Sequence, residues 1–76
     1  MERYKNLNGD SNVAGYELGP GSITVEFNSG TYRHYVYNGN RPGAAVVAEL
    51  QRLAVAGAGL NGYISSVVKK NFDHKY

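Results

Sequence analysis

The clearest pattern in the chain is a strict alternation of apolar and polar positions over residues 22–27. Ile23, Val25 and Phe27 would share one face of an extended segment, and β-branched or aromatic residues dominate it, which is typical of a half-buried strand. A weaker alternation over residues 13–18 predicts a strand before it. Gly19-Pro20-Gly21 separates the two strands with residues that favour a tight turn.

A third strand is predicted for residues 31–37, after a hairpin at Asn28-Ser29-Gly30. Its side chains fall into two alternating sets. One face would carry Tyr32, His34 and Val36, and the other Arg33, Tyr35 and Tyr37. From spacing alone, either set can be the one that faces a core.

The apolar spacing then changes from two to between three and four residues, which predicts helices. The first covers residues 43–56 and ends at Gly57-Ala58-Gly59, where glycine tolerates the left-handed geometry of a helix end. The second runs from Leu60 or Asn61 to about Lys70, with an apolar stripe of Leu60, Ile64, Val67 and Val68.

Strands followed by helices define an α+β fold. The expected architecture is a three-stranded antiparallel β-meander followed by two α-helices packed on one face. Residues 13–72 would form the single domain, with a partly ordered lead-in at 1–12 and a C-terminal tail at 73–76. The predicted core contains Val13 or Ala14, Tyr16, Ile23, Val25, Phe27, Val47, Leu50, Leu53, Leu60, Ile64 and Val67.

Composition narrows the class of protein. The 76 residues allow one small domain, and 42% hydrophobic residues provide a core. The absence of cysteine excludes disulfides, thiolate metal sites and cysteine nucleophiles, and favours a cytoplasmic protein. No apolar run approaches the roughly 18 residues of a membrane span, and the first residues are too polar for a secretory signal, so we expect no membrane contact.

Aromatic and basic residues make up the densest chemical feature. Tyrosine accounts for seven residues, against two phenylalanines and no tryptophan, and the net charge is +2. Exposed rings on a sheet can stack unpaired bases while nearby cations hold phosphates. The candidate nucleic-acid-binding residues are Tyr32, Arg33, Tyr35, Tyr37, Arg41, Lys69 and Lys70. The simpler interpretation is structural, because tyrosine is a good strand residue.

The letters Gly57-Ala58-Gly59-Leu60-Asn61-Gly62 match a dinucleotide-binding fingerprint. A helix rather than a strand precedes them, and the chain is too short for the required βαβ unit. Backbone N–H groups at Gly59, Asn61 and Gly62 could still contact a phosphate or other anion. A flexible connector between the helices is the alternative interpretation.

Residues for catalysis are not assembled anywhere along the chain. His34 and His74 are the only histidines, and neither lies at a metal-ligand spacing from another His, Asp or Glu. Nothing combines a base, a nucleophile and an oxyanion donor. We therefore expect that the protein is not an enzyme, has no catalytic residue and binds no metal or cofactor.

Four segments together carry a resemblance to a known family: Val13-Ala14-Gly15-Tyr16, Ile23 to Tyr32, Tyr35-Val36-Tyr37 and Ala56 to Asn61 with Ile64. They resemble the KTSC domain, a family named after the C-terminal domain of certain lysyl-tRNA synthetases. The family's Val-Pro step is replaced here by Asn38-Gly39-Asn40-Arg41-Pro42-Gly43. The resemblance implies a small α+β domain, RNA binding as suggested for the family, and a bacterial or phage origin.

Two functions of different classes follow. The first is a non-catalytic module that binds RNA or another single-stranded nucleic acid through the tyrosines and basic residues. The second is a protein–protein interaction module or homodimeric adaptor of a bacterial or phage system, which the low net charge favours.

Overall fold

The protein folds into one antiparallel sheet with a helical layer against it. The structure is a computed structural model that describes residues 1–9 and 11–76. Within those residues five strands pair in chain order, β1-β2-β3-β4-β5. Their bounds are Glu2–Arg3 for β1, Val13–Gly19 for β2, Ser22–Phe27 for β3, His34–Asn38 for β4 and His74–Lys75 for β5.

The predicted meander is confirmed as the centre of this sheet. β2 and β3 occupy the expected positions, whereas β4 begins three residues later than expected. The connection between β3 and β4 is longer than a tight hairpin, because the N–H of Phe27 pairs with the carbonyl of Arg33 at 2.8 Å rather than with a residue nearer the turn. Within that connection Gly30 has a φ of 111°, as expected for the turn glycine.

The first strand of the meander contains a β-bulge that changes which residues face the core. Val13 lies opposite Phe27 and Gly15 lies opposite Glu26, so Ala14 is the extra residue. The bulge lets both Val13 and Tyr16 be buried, although a regular strand would place them on opposite faces. Ala14 is only half-buried, which decides the sequence-based choice between Val13 and Ala14 in favour of Val13.

The N-terminal segment, for which the sequence predicts a partly ordered lead-in over residues 1–12, contributes a strand and a core residue. β1 pairs with β2, and the ring of Tyr4 lies in the core at 4% exposure. The hydroxyl of Tyr4 accepts a hydrogen bond from the N–H of Leu60 at 3.3 Å. One lead-in residue, Asp10, lies outside the described residues.

The C-terminal tail is likewise a strand. In β5, Val36 lies opposite His74, and His34 and Tyr76 exchange backbone hydrogen bonds of 2.9 and 2.8 Å. The rings of His34 and Tyr76 stack with their centroids 4.8 Å apart. Two paired residues are too few to show an alternating pattern, so the sequence of residues 73–76 could not distinguish this strand from a tail.

The first helix, α1, covers Ala44–Ala56 and confirms the predicted segment. It ends at Gly57, which has a φ of 77° and donates to the carbonyls of Leu53 and Ala54. A side chain at Gly57 would also meet Lys5, since its Cβ would lie 2.7 Å from the Lys5 Cβ. Gln51 joins α1 to the turn between β2 and β3 by donating to the carbonyls of Gly19 and Ser22 at 3.2 and 2.8 Å.

The second helix has the expected position and an unexpected winding. Its α-helical part, α2, covers Leu60–Tyr63, and it continues as a π-helical turn over Ile64–Val68. In a π turn each hydrogen bond joins residues five apart instead of four, so each residue advances the helix through a smaller angle than in an α-helix. Val68 therefore points into the core at 3% exposure, while Val67, which the predicted stripe also placed there, is 57% exposed.

One hydrophobic core joins both layers. Its buried members among the described residues are Tyr4, Val13, Tyr16, Ile23, Val25, Tyr37, Val47, Leu50, Ala54, Leu60, Ile64 and Val68. Phe27 and Leu53, both expected in the core, are half-buried at its margin. The longest helix has 13 residues. In residues 1–9 and 11–76 no helix combines the length and apolar character needed to cross a membrane.

The two adjacent valines provide a test of the π turn. Val68→Ala removes buried methyl groups and should lower the free energy of unfolding by about 1–2 kcal/mol, whereas Val67→Ala should change it by less than about 0.5 kcal/mol. Urea denaturation followed by circular dichroism measures both. Equal losses for the two variants would contradict the observed winding.

The Tyr4 hydroxyl provides a second test. Tyr4→Phe keeps the ring but leaves the N–H of Leu60 without its partner, so we expect a loss of about 1 kcal/mol in the free energy of unfolding. Tyr32→Phe is the matched control, because Tyr32 is exposed and the change should be nearly neutral. A neutral Tyr4→Phe variant would show that the hydrogen bond adds nothing to stability.

Candidate nucleic-acid interface

A groove of about 430 Å³ lies between the core-side face of β3 and β4 and the end of the second helix. We call it the lysine groove. Lysines and aromatic rings line it together, which is the combination that the nucleic-acid hypothesis requires. The lining residues are Asn12, Phe27, Ser29, Tyr35, Tyr37, Ile64, Ser65, Lys69, Lys70, Phe72 and Lys75.

Three rings form the aromatic wall of the lysine groove. Phe27 and Tyr35 meet edge to face with centroids 5.2 Å apart, and Tyr35 and Phe72 do the same at 4.9 Å. Cross-strand geometry places Tyr35 on this wall, because it lies opposite Val25 in the sheet and shares its face. The ring contacts join the strand side of the groove to the segment after the second helix.

Lys75 lies over this wall. Its Nζ is 5.5 Å from the centroid of Tyr32, 5.8 Å from that of Tyr35 and 5.7 Å from that of Phe72. The arrangement follows from the register, because Lys75 is the residue of β5 directly opposite Tyr35. An ammonium group within about 6 Å of a ring face is attracted by the ring quadrupole. Lys75 therefore holds a positive charge beside the rings.

Lys69 and Lys70 supply the charge from the helix side. Both are exposed and follow the π turn, and Lys69 has a φ of 53°. None of the described residues that line the groove is acidic. The lysine groove is consequently a compact positive surface in a chain whose net charge is only +2.

Tyr37 is the predicted stacking residue that the structure removes from the surface. It is 1% exposed and forms the floor beneath the groove, because it lies opposite Ile23 on the core-facing side of β4. Burial raises the pKa of Tyr37 well above its usual range, and the neighbouring Tyr35 raises that pKa further. Its ring is enclosed by the core, so a base cannot stack on it.

The remaining predicted residues lie around the groove rather than in it. Tyr32 is 53% exposed, and its ring lies near the aromatic wall because Lys75 contacts both. Arg33 donates to the carbonyl of Gly30 at 3.3 Å in the β3–β4 connection. Arg41 donates to the side chain of Asn71 at 3.2 Å, next to Lys70 in the chain. Arg41 is thus a neighbour of the groove and Arg33 belongs to the adjoining loop.

The predicted anion loop forms a different cavity. Gly59, Asn61 and Gly62 line a cleft of about 240 Å³ together with Tyr4, Asn6, Asn8, Ser11 and Ala58. The N–H of Leu60, in the middle of that loop, is bonded to the Tyr4 hydroxyl. This amide is therefore already satisfied by the protein, and the loop and the lysine groove do not form one site.

Two residues that carry the groove were not among the predicted site residues. Phe72 is the last residue of the predicted domain, and Lys75 falls within the segment predicted to be a tail. The signal that could have found them is the mixture of cations and aromatic residues over 69–76. Only the pairing of β5 with β4 shows that Lys75 points toward Tyr35.

Metal ligands are not grouped in the described part of the chain, where no three His, Asp or Glu side chains lie close enough to hold an ion. The closest histidine pairings are with single carboxylates, His74 to Asp73 at 2.7 Å and His34 to Glu26 at 3.5 Å. The hydrogen bond with His74 lowers the pKa of Asp73.

Comparison with known proteins returned no match. No protein-family model, no curated protein and no solved structure is similar to this chain at a significant level.

The position of Tyr37 predicts a change in stability at alkaline pH. Folding raises the pKa of Tyr37, so the unfolded chain loses this proton at a lower pH than the folded protein does. The free energy of unfolding should therefore be unaffected by ionisation of Tyr37 below the ordinary tyrosine pKa of about 10, and it should fall as the pH rises above that value. Ultraviolet absorbance of tyrosinate should show one ring that ionises after the others in the folded protein. Tyr37→Phe should abolish that last step, and its persistence would contradict the assignment.

Proposed function

We propose that this chain is a non-catalytic nucleic-acid-binding module that takes single-stranded RNA or DNA into the lysine groove. The observation that carries the proposal is the convergence of Lys69, Lys70 and Lys75 on the aromatic wall. A positively charged groove with aromatic rings is the arrangement by which proteins bind single strands without reading a duplex.

Different groups would bind different parts of the strand. Lys69 and Lys70 would contact phosphates, since an ammonium group binds phosphate as a point charge. The exposed ring of Tyr32 would stack a base, and Tyr35 and Phe72 would pack against its sugar or edge. Arg41 would extend the positive surface beside Lys70, and Arg33 would do so at the β3–β4 connection.

The sequence supports the same proposal from another direction. On its resemblance to the KTSC domain, we propose that the chain is a bacterial or phage member of that family, for which RNA binding has been suggested. A cytoplasmic location is part of the proposal, because nucleic acid is accessible there and the 76 residues include no cysteine.

Charge reversal at the helix end tests the proposal. The double variant Lys69→Glu/Lys70→Glu should weaken binding of a short mixed-sequence RNA. It should also make the slope of the logarithm of the binding constant against the logarithm of salt concentration less negative, by about 0.7 for each phosphate that the variant no longer neutralises. Both substituted side chains are exposed, so the fold should be retained. Calorimetric titration at several salt concentrations measures the effect.

The matched control is Arg3→Glu/Lys5→Glu, which makes the same change in net charge near the opposite edge of the sheet. It should leave most of the affinity intact. An equal loss in both double variants would show a nonspecific effect of net charge. If the native chain shows no salt-dependent binding of the RNA, the interaction-module hypothesis is favoured instead. Sedimentation would then detect its homodimeric form.

A further inference from the structure

We infer that the lysine groove binds a single nucleotide unit that carries a terminal phosphate. This phosphomonoester would belong either to the end of a strand or to a free nucleotide. The inference rests on the proposed function and specifies its ligand. It depends on the size of the groove, on the number of ring faces open to a base and on the density of positive charge.

The size of the groove suits one nucleotide. Its volume of about 430 Å³ lies near the lower end of the range of pockets that enclose a small molecule. The wall of Asn12 and Ser29, whose side chains share a hydrogen bond of 3.2 Å, lines one part of it. Proteins that track a longer strand use extended grooves that cover about 4–16 nucleotides per domain.

The aromatic wall offers few free ring faces. Tyr35 meets both Phe27 and Phe72 edge to face, and the Lys75 ammonium group lies over one face of Tyr35 and one face of Tyr32. The three rings of the wall are half-buried, whereas Tyr32 beside them is exposed. A row of bases needs a succession of open rings. Here one base can stack, on the face of Tyr32 that Lys75 leaves open, since Tyr32 is 53% exposed.

The charge exceeds what one internal phosphate requires. An internal phosphodiester carries a single negative charge, whereas a terminal phosphate carries about −1.5 to −2 at neutral pH. Three ammonium groups line the lysine groove, and none of its described lining residues is acidic. Lys69 and Lys70 come from the helix side and Lys75 from the strand side, so a doubly charged group between them would contact both walls.

Matched ligands test the inference. One short RNA is prepared with a 5′-phosphate, with a 3′-phosphate and with neither, and titrated into the full chain beside a nucleoside monophosphate and its nucleoside. A terminal phosphate should tighten binding about tenfold, the gain of one additional charge-assisted hydrogen bond. Amide shifts in the nuclear magnetic resonance spectrum should map to residues 69–75 and to Tyr32.

The free nucleotide identifies the source of the phosphate. A monophosphate that binds nearly as tightly as the phosphorylated RNA supports a free nucleotide, and one that binds far more weakly supports a strand end. Inorganic phosphate should bind more weakly than either. If inorganic phosphate binds as tightly as the nucleotide, the base contributes nothing and the inference is overturned.

Variants assign the preference to the lysines. Lys75→Gln should abolish most of the preference for the phosphorylated RNA. Lys70→Gln, an exposed position at the end of the helix, should reduce that preference without disturbing β5. The control Arg3→Gln should keep it. A preference that survives in both lysine variants places the phosphate elsewhere.

The failure of this inference differs from the failure of the proposed function. Equal affinity for the three RNAs, with the salt dependence intact, overturns the terminal-phosphate inference and leaves a module that binds internal phosphates. If neither the RNAs nor the monophosphate bind at low salt, the proposed function fails as well.

Discussion

The packing of α1 against β3 is the interaction on which the rest of the structure depends. Val47 and Leu50 of the helix and Ile23 and Val25 of the strand are all at most 1% exposed. A narrow sheet with water on both faces does not persist alone, so the helical layer is what makes this sheet stable. With one face covered, β4 is oriented as well, and Tyr37 is buried while Tyr35 remains at the margin.

The two ends of the chain complete the structure on opposite sides. Tyr4 reaches from the N-terminal segment to the first amide of α2, and it thereby joins the sheet to the start of the second helix. At the other end, the pairing of β5 with β4 brings Lys75 over the aromatic wall. The lysine groove forms where the paired strands β4 and β5 lie close to the end of the second helix, although these elements are distant in sequence.

The alternation over residues 22–27 and the helical spacing over 43–56 predicted two elements within one residue of their bounds, because each pattern is long and periodic. The edge strands β1 and β5 were not predicted, because a strand of two residues is too short to show an alternation of apolar and polar positions. Tyr35 and Tyr37 show the same limit within the candidate site. They share a face, and only the extent of the helical layer decides that one is buried and the other is not.

The shortness of the edge strands has a consequence for the behaviour of the protein in concentrated solution. An exposed sheet edge is a template on which another chain can add a strand, and long apolar edges therefore promote aggregation. Here each outermost strand is two residues long, and each includes a cation, Arg3 in β1 and Lys75 in β5. Each outermost strand thus offers an incoming chain only two residues of backbone beside a positive charge, which should slow edge-to-edge aggregation during expression and storage.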